Sequence, residues 1–237
     1  MSTSNKTALI TGASKGIGKQ LAIDLAKAGY NLGLVARSEA ELLSLQTLIR
    51  SLRVECLIFV GNVSEPSMAT KAVTAMIEKF GKLDFMINNA GFGIFGPTET
   101  YSAEQWSDVY DTNVKGTFLF SQAAMSPMKA AGSGHIINIA SDVAKRVFDG
   151  GSLYCSSKFA QDAFSAALRK EVRKHGIKVS VVYSGLVDTE FHGKTNENQD
   201  KEWLTGNDMS NAIMYVMQTP AHVVIDELMI HPTNQDY

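Results

Sequence analysis

The feature of this sequence that most limits its fold is a regular alternation of short apolar runs with amphipathic segments. The apolar runs, which predict strands, are residues 8–10, 32–36, 56–60, 85–87, 135–140, 178–183 and 222–230. The segments with helical spacing are residues 17–28, 39–52, 65–80, 103–130 (long or broken), 153–174 and 208–218. Short strands joined by crossover helices form mostly parallel sheets. We therefore predict an α/β fold, a Rossmann-type doubly wound sheet of seven mostly parallel strands with helices on both faces, in a single domain over residues 1–237.

Composition and charge exclude several classes of protein. The 237 residues are 45% hydrophobic, and 22 basic residues nearly balance 24 acidic ones, which argues against disorder and against a nucleic-acid surface. The chain contains no run of about 18 apolar residues, so we expect no membrane span. Two cysteines cannot form a disulfide framework, and the polar residues 1–6 do not resemble a signal segment. These observations predict a cytoplasmic protein, and we expect no metal ion in its site.

A glycine-rich turn follows the first predicted strand and precedes the first predicted helix. It reads Thr-Gly-Ala-Ser-Lys-Gly-Ile-Gly over residues 11–18. Glycine permits positive φ and lets a phosphate approach the backbone, and a helix N-terminus attracts anions. A tight loop would also explain the glycines, but the strand before and the helix after favour a dinucleotide site. The spacing Gly12, Gly16, Gly18 differs from the G-x-G-x-x-G fingerprint, and the sequence differs from the phosphate loop that ends in Gly-Lys-Ser/Thr.

A tyrosine and a lysine share one face of a predicted helix. Tyr154 and Lys158 stand four residues apart. A free tyrosine has a pKa of about 10 and exchanges protons poorly near neutral pH, whereas a neighbouring ammonium stabilises the phenolate and lowers that pKa. A surface pair with this spacing is common on any helix, so the pair indicates catalysis only in combination with other motifs.

The combined motifs resemble the single-domain branch of the short-chain dehydrogenase/reductase family over nearly the whole chain. The resemblance is carried by residues 11–18, Asn88-Asn-Ala-Gly91, Asn113, Ser141, Tyr154-x-x-x-Lys158 and Gly185-x-Val187-x-Thr189. It implies that Tyr154 gives a proton to a substrate carbonyl oxygen while a nicotinamide delivers hydride to the carbon. Lys158 would lower the Tyr154 pKa and bind the nicotinamide ribose, and Ser141 would hold the carbonyl oxygen. Asn113 would fix a water in a proton relay through Lys158.

The same resemblance assigns a set of cofactor-binding residues. They are Gly12, Ser14, Lys15, Gly16, Ile17, Gly18, Arg37, Ser38, Asn62, Val63, Asn89, Ala90, Gly91, Asn113, Tyr154, Lys158, Gly185, Val187 and Thr189. Selectivity for the adenosine ribose is decided after the second strand, where residues 35–38 contain no acid. Arg37 and Lys15 suit a 2′-phosphate, so we expect NADP(H) to be preferred over NAD(H), although both cations could instead be solvated surface charges. Ser184 replaces the proline usual before Gly185, so we expect a looser turn without loss of activity.

The sequence gives less information on the substrate. Residues 92–97, 142–153 and 186–206 are expected to border it, and Phe92, Ile94, Phe95, Val147 and Phe148 predict a partly apolar pocket. The third segment is short and polar, which predicts an open cleft with a small lid, and His192 within it is expected to be incidental. Lys145 and Arg146 could bind an acidic substrate, but we expect them to face solvent. We expect Cys155 to serve packing, and Trp106, Tyr110 and residues 118–120 to serve helix packing.

Together, these expectations predict an NADPH-dependent reductase that converts a ketone or aldehyde reversibly into an alcohol. A 3-oxoacyl-thioester reductase, acting on acyl-carrier-protein or CoA esters, is an alternative within the class. A catalytically silent NADP(H)-binding regulator is an alternative from another class. The expected partner is a small carbonyl or alcohol compound, with no nucleic acid or membrane. The family analogy implies a homodimer or homotetramer, although the apolar residues 159, 160, 163, 164, 167 and 168 would suit either a subunit seam or the protein's own core.

Overall fold

Seven parallel strands form the centre of the fold in a computed structural model, which describes residues 5–189 and 202–235. The strands are β1 (Thr7–Thr11), β2 (Asn31–Ala36), β3 (Cys56–Val60), β4 (Phe85–Asn88), β5 (Gly134–Ser141), β6 (Ile177–Ser184) and β7 (Glu227–Ile230). Their order across the sheet is β3-β2-β1-β4-β5-β6-β7, and every neighbouring pair is parallel. The predicted seven-stranded doubly wound sheet is confirmed, and within the described residues it is wholly parallel.

The helices begin and end at recognisable signals. They are α1 (Gly16–Lys27), α2 (Glu39–Ser51), α3 (Pro66–Phe80), α4 (Ala103–Tyr110), α5 (Thr117–Ala131), α6 (Ser152–Val172) and α7 (Gly206–Met217). Proline at the first position of α3 fits the fixed φ of a helix start, and Gly81 ends that helix in the left-handed region. Ser102 and Thr205 form capping boxes with residues three positions later. The predicted segment 103–130 is interrupted, since the π-helical residues Asp111–Gly116 separate α4 from α5.

Both faces of the sheet are covered by helices. Along β1, Ala8 and Ile10 belong to the core on one face and Leu9 to the core on the other, as strand side chains alternate. Residues of α1, α2 and α7 complete the first core, and residues of α3, α5 and α6 complete the second. None of the described helices is long and apolar enough to cross a lipid bilayer.

The final strand is shorter than predicted. Pairing of β7 with β6 begins at Glu227 opposite Val181, so the predicted start at residue 222 was wrong. The preceding residues turn at Pro220 and then bond to side chains: the Ile225 carbonyl accepts from Ser180 Oγ at 2.6 Å. Apolar character alone did not reveal that this stretch has no strand partner.

The strand order places a crevice at the carboxyl ends of β1 and β4. From β1 the chain builds outward to β2 and β3, and then returns to place β4 on the other side of β1. The connections that follow β1 and β4 therefore run away from each other above these two strand ends. In open parallel sheets, ligands bind at this reversal point.

Candidate active site

A cleft of about 690 Å³ opens at the carboxyl ends of the strands. Its walls include most of the residues assigned to the cofactor from the sequence: Gly12, Ser14, Lys15, Gly16, Ile17, Arg37, Asn62, Val63, Asn89, Ala90, Gly91, Tyr154, Lys158, Gly185, Val187 and Thr189. Ser141 lines the same cleft. Gly18, Ser38 and Asn113 do not line it. The fold therefore gathers segments from more than 170 residues of sequence around one space.

The glycine turn is tied to the end of β4. Gly12 and Gly16 have φ values of +64° and +49°, in the left-handed region that favours glycine. The Asn89 amide Nδ2 donates to the carbonyls of Thr11 and Gly12, each at 3.1 Å. A Cβ at Gly18 would clash with the Gly12 carbonyl and with Asn89. Gly18 therefore permits close packing inside the turn and does not itself face the cleft.

Tyr154 and Lys158 lie in the first two turns of α6, and both are buried, at 8% and 4% exposure. Lys158 Nζ donates to the Ile139 carbonyl at 3.2 Å and to Gln161 Oε1 at 3.1 Å. It lies 5.7 Å from the centre of the Tyr154 ring. The Phe95 ring packs edge-on against Tyr154 at 5.4 Å. The helix thus presents a tyrosine and a lysine to the cleft, with their orientation fixed by these contacts.

Burial determines the protonation of this pair. It raises the pKa of Tyr154, as do the charges of Asp142 and Cys155, while a hydrogen bond with Ser141 opposes them. Burial also lowers the pKa of Lys158 to about 8. Burial therefore dominates the Tyr154 pKa here, and the predicted lowering of that pKa by Lys158 stays a prediction. Near neutral pH Tyr154 is therefore a phenol able to donate a proton, and most of Lys158 is charged.

Ser141 ends β5 beside a buried acid that the sequence analysis did not single out. Its Oγ donates to Asp142 Oδ1 at 3.0 Å. The other oxygen, Asp142 Oδ2, accepts from Arg146 Nε at 2.9 Å and from Gln235 Nε2 at 2.8 Å, and it lies 3.4 Å from His231 Nε2. A four-residue spacing indicates a pair only on an α-helix, and residues 142–144 form a single 3₁₀ turn, so the sequence carried no local signal for the pair of Asp142 and Arg146. The contact between Gln235 and Asp142 spans 93 residues, and no sequence pattern indicates it.

The prediction that Arg146 faces solvent was wrong. Its side chain is 30% exposed, lines the cleft and pairs with Asp142, because the buried carboxylate requires a counter-charge. Lys145 also differs from a solvated charge: its Nζ lies 2.8 Å from Asp162 and 3.2 Å from Glu227. Two neighbouring cations thus hold the segment after Ser141 in place.

Asn113 lies behind the cleft and fixes its wall. Its Oδ1 accepts from the Phe92 amide at 3.0 Å, and its Nδ2 donates to the Phe92 carbonyl at 2.9 Å and to Ser157 Oγ at 3.0 Å. A Cβ at Gly91 would stand 3.2 Å from Asn113 Oδ1 and 3.5 Å from Lys158 Nζ. Glycine at position 91 therefore leaves room for the Asn113 carboxamide.

The other end of the cleft carries two cations and lacks an acid at the end of β2. Arg37 follows β2 directly and is exposed. Lys15 Nζ lies 3.4 Å from Glu41 Oε1, so a carboxylate on α2 partly offsets its charge. Ser38 occupies the N-cap position of α2, but its side chain makes no capping hydrogen bond. Asn62 Oδ1 accepts from the Ser64 amide at 3.1 Å.

The turn after β6 is held by the C-terminal segment. The Gly185 amide donates to the Ile230 carbonyl at 2.8 Å, and the Leu186 amide donates to Gln235 Oε1 at 2.7 Å. A Cβ at Gly185 would clash with Gln235 and His231. These contacts hold the residues that follow Ser184, and the looser turn expected from serine in place of proline stays a prediction.

The substrate end of the cleft is partly apolar, as predicted. Phe92, Phe95, Val143, Phe148 and Leu186 line it. Ile94 and Val147 do not, and Val147 is 70% exposed. The predicted polar lid falls largely on residues 190–201, including His192, which lie outside the described residues. Cys155 is buried, as expected of a packing residue.

The aromatic residues assigned to helix packing divide into two groups. Phe120 is fully buried between α5 and the sheet. Trp106 stacks on Tyr110 with ring centres 4.9 Å apart but is 44% exposed, and Phe118 is 41% exposed. For Trp106 and Phe118, packing within the chain covers only part of the side-chain surface.

Comparisons with known proteins agree with this geometry. The family model for short chain dehydrogenase matches residues 6–200. An uncharacterized oxidoreductase of Staphylococcus saprophyticus is 34% identical over 231 residues, covering 96% of this chain and 97% of that protein. An alcohol dehydrogenase from the archaeon Thermococcus sibiricus, complexed with 5-hydroxy-NADP, is 29% identical with a TM-score of 0.91 and 98% of each chain covered. The closed form of a serine dehydrogenase complexed with NADP+ is 27% identical with a TM-score of 0.90, covering 98% of this chain and 96% of that one.

The fold and the site together define an oxidoreductase that acts on CH–OH and C=O groups. The family match spans most of the chain, and the full-length relatives extend it to nearly every described element. The chain belongs to the short-chain dehydrogenase/reductase family.

Proposed function

We propose that this protein is a single-domain, NADPH-dependent reductase that converts a ketone or aldehyde into the alcohol, reversibly. One observation carries the proposal: a buried Tyr154–Lys158 pair opens onto the same cleft as the glycine turn. The lysine does not suit a purely structural position, because burying its charge at 4% exposure is unfavourable unless that charge is used.

The residues present fit a dinucleotide. Positive φ at Gly12 and Gly16 exposes backbone amides at the start of α1, where the helix dipole favours phosphate. Asn62 and Val63 would hold the adenine, Asn89 to Gly91 the adenosine side, and Gly185, Val187 and Thr189 the carboxamide. When bound, the nicotinamide supplies the hydride that reduces the carbonyl carbon.

The chain's own residues manage the carbonyl oxygen and its proton. The Tyr154 phenol donates its proton to that oxygen, and its raised pKa keeps it protonated near neutral pH. The Lys158 ammonium stabilises the phenolate that remains. Ser141 Oγ would hold the oxygen: its one proton, donated to Asp142 Oδ1 at 3.0 Å in this structure, turns to the carbonyl oxygen when substrate binds. The relay water at Asn113 stays a prediction, since the side chain's described bonds go to Phe92 and Ser157.

We propose a preference for NADP(H) over NAD(H). Three features support it: Arg37 follows β2, no acid stands at the end of that strand, and Lys15 lies in the glycine turn. Two of the structural relatives described above were solved with NADP or a derivative. An acid at the end of β2 would repel a 2′-phosphate, whereas these cations attract it.

The experiment is a screen of nicotinamide absorbance at 340 nm with purified protein. NADPH and NADH are each offered with 3-oxoacyl thioesters, small diketones and aromatic aldehydes. Consumption of NADPH with one class of carbonyl compound supports the proposal, and the ranking identifies the substrate class. Tight NADPH binding with no turnover of any compound would contradict it and favour the silent regulator.

Assembly and location are further proposals. Phe118 on α5 and Phe159 on α6 are 41% and 42% exposed, which supports a subunit contact through these helices in a homodimer or homotetramer. Sedimentation of the wild-type protein tests this, and a monomer at micromolar concentration contradicts it. Cys56 and Cys155 are both free and buried, which supports a reducing cytoplasmic environment.

A further inference from the structure

We propose that Gln161 is a positioning residue for Lys158, joining the lysine through Thr117 at the start of α5 to the π-helical segment that precedes it. The proposal rests on the proposed function of Tyr154 and Lys158 and deepens it. The sequence analysis did not single out Gln161, and none of the motifs includes it.

Gln161 lies one turn after Lys158 on α6, so the two side chains share a face of the helix. It is 1% exposed, and its carboxamide is satisfied at both ends. Its Oε1 accepts from Lys158 Nζ at 3.1 Å, and its Nε2 donates to Thr117 Oγ1 at 3.0 Å. A buried amide is costly without such partners, so these two bonds explain why glutamine is tolerated in the core.

The chain of contacts continues without a gap. Thr117 is 3% exposed, and its hydroxyl donates to the Asn113 carbonyl at 2.9 Å. The side chain of Asn113 in turn fixes both backbone groups of Phe92 in the cleft wall. A charge at Lys158 is therefore connected through Gln161 and Thr117 to the segment that shapes the cleft.

This arrangement has an electrostatic consequence. Burial opposes the ammonium form of Lys158, and the Gln161 oxygen is one of its two described acceptors, beside the Ile139 carbonyl. The titratable group beside Lys158 is Tyr154, whose ring centre lies 5.7 Å from Nζ, and the charges of Cys155 and Asp142 act in turn on Tyr154. A neutral acceptor supports the ammonium without adding a negative charge that would cancel its effect on the phenolate.

The test compares Gln161→Met, Thr117→Val and a matched control, Ser121→Ala. Ser121 is fully buried and accepts from Asn88 Nδ2 at 3.0 Å, so its loss removes a buried polar contact away from Lys158. For each protein, kcat and KM are measured against pH with NADPH and the carbonyl compound that the wild type reduces fastest in the screen. The NADPH dissociation constant is measured against pH by cofactor fluorescence.

Gln161→Met is expected to lower kcat about tenfold with little change in the carbonyl KM. It is also expected to move the alkaline midpoint of both profiles to lower pH, because an acceptor of the ammonium is lost. Thr117→Val retains the Lys158 contact but frees the glutamine, so the same changes are expected at smaller size. Ser121→Ala is expected to lower the melting temperature and leave both midpoints in place.

The outcomes separate this inference from the proposed function. Wild-type protein that binds NADPH but reduces no carbonyl compound contradicts the function alone, and the binding midpoints then decide the role of Gln161. Midpoints that stay unchanged in Gln161→Met overturn the inference alone, as does an equal movement in Ser121→Ala. If Gln161→Met does not fold, Thr117→Val decides by the same criterion.

Discussion

Arg37 gives the sharpest test of cofactor selectivity. It follows β2 at the cleft and is exposed, while the charge of Lys15 is partly offset by Glu41 at 3.4 Å. We therefore expect Arg37 to contribute most of the preference for NADPH, which carries a 2′-phosphate, over NADH, which does not. A charge-assisted hydrogen bond contributes about 1.5–3 kcal/mol, which corresponds to about 10- to 150-fold in affinity. Arg37→Gln should weaken NADPH binding by that factor and NADH binding by less than about threefold.

The assay is the dissociation constant of each reduced cofactor, measured by fluorescence at low and high salt. Because the guanidinium is exposed, the selectivity should shrink in about 1 M salt, where the screening length falls to about 3 Å. Lys15→Gln serves as the matched control and should weaken NADPH binding less than Arg37→Gln does. Glu41→Gln should act in the opposite direction and tighten NADPH binding by a few-fold, since it removes the negative charge beside Lys15. An equal effect of Arg37→Gln on both cofactors would refute the reasoning.

Two further predictions follow from buried titratable groups. The rate of carbonyl reduction should fall as pH rises through about 8, because Lys158 loses its proton there; a pH–rate profile that stays flat to pH 10 would contradict this. His135 has its pKa lowered to about 3 by burial, against 6.5 in the unfolded chain, so its contribution to stability is present above pH 6.5 and is lost as pH falls towards 3. From pH 7 to pH 5 this one group should cost about 2 kcal/mol, measured by urea unfolding; His135→Gln should lose correspondingly less, and an equal loss would show that other groups dominate.

The strands and most helices were predictable because their signals are local. Apolar runs gave six of the seven strands to within two residues, and the glycine turn after β1 located one wall of the cleft. The order of strands is a tertiary property and came from the general behaviour of parallel sheets, not from spacing. The start of β7 was missed because strand pairing with β6, not hydrophobicity, determines where a strand begins.

Within the site, the residues missed by sequence analysis act through contacts distant in sequence. Asp142 meets Gln235 across 93 residues, and Gln161 meets Thr117 across 44. Arg146 was expected in solvent because arginine is usually exposed, and the buried Asp142 carboxylate reverses that preference locally. The four-residue spacing of Tyr154 and Lys158 likewise did not indicate that Tyr154 is desolvated.

The central claim is that Tyr154 supplies the proton in carbonyl reduction. It is tested most directly by Tyr154→Phe, with Tyr215→Phe as the matched control because Tyr215 is 64% exposed on α7. NADPH affinity and turnover are measured separately for wild type and both variants. We predict that Tyr154→Phe binds NADPH within about threefold of wild type and loses at least about 10²-fold in kcat, while Tyr215→Phe changes neither. Near-native turnover by Tyr154→Phe would contradict the account.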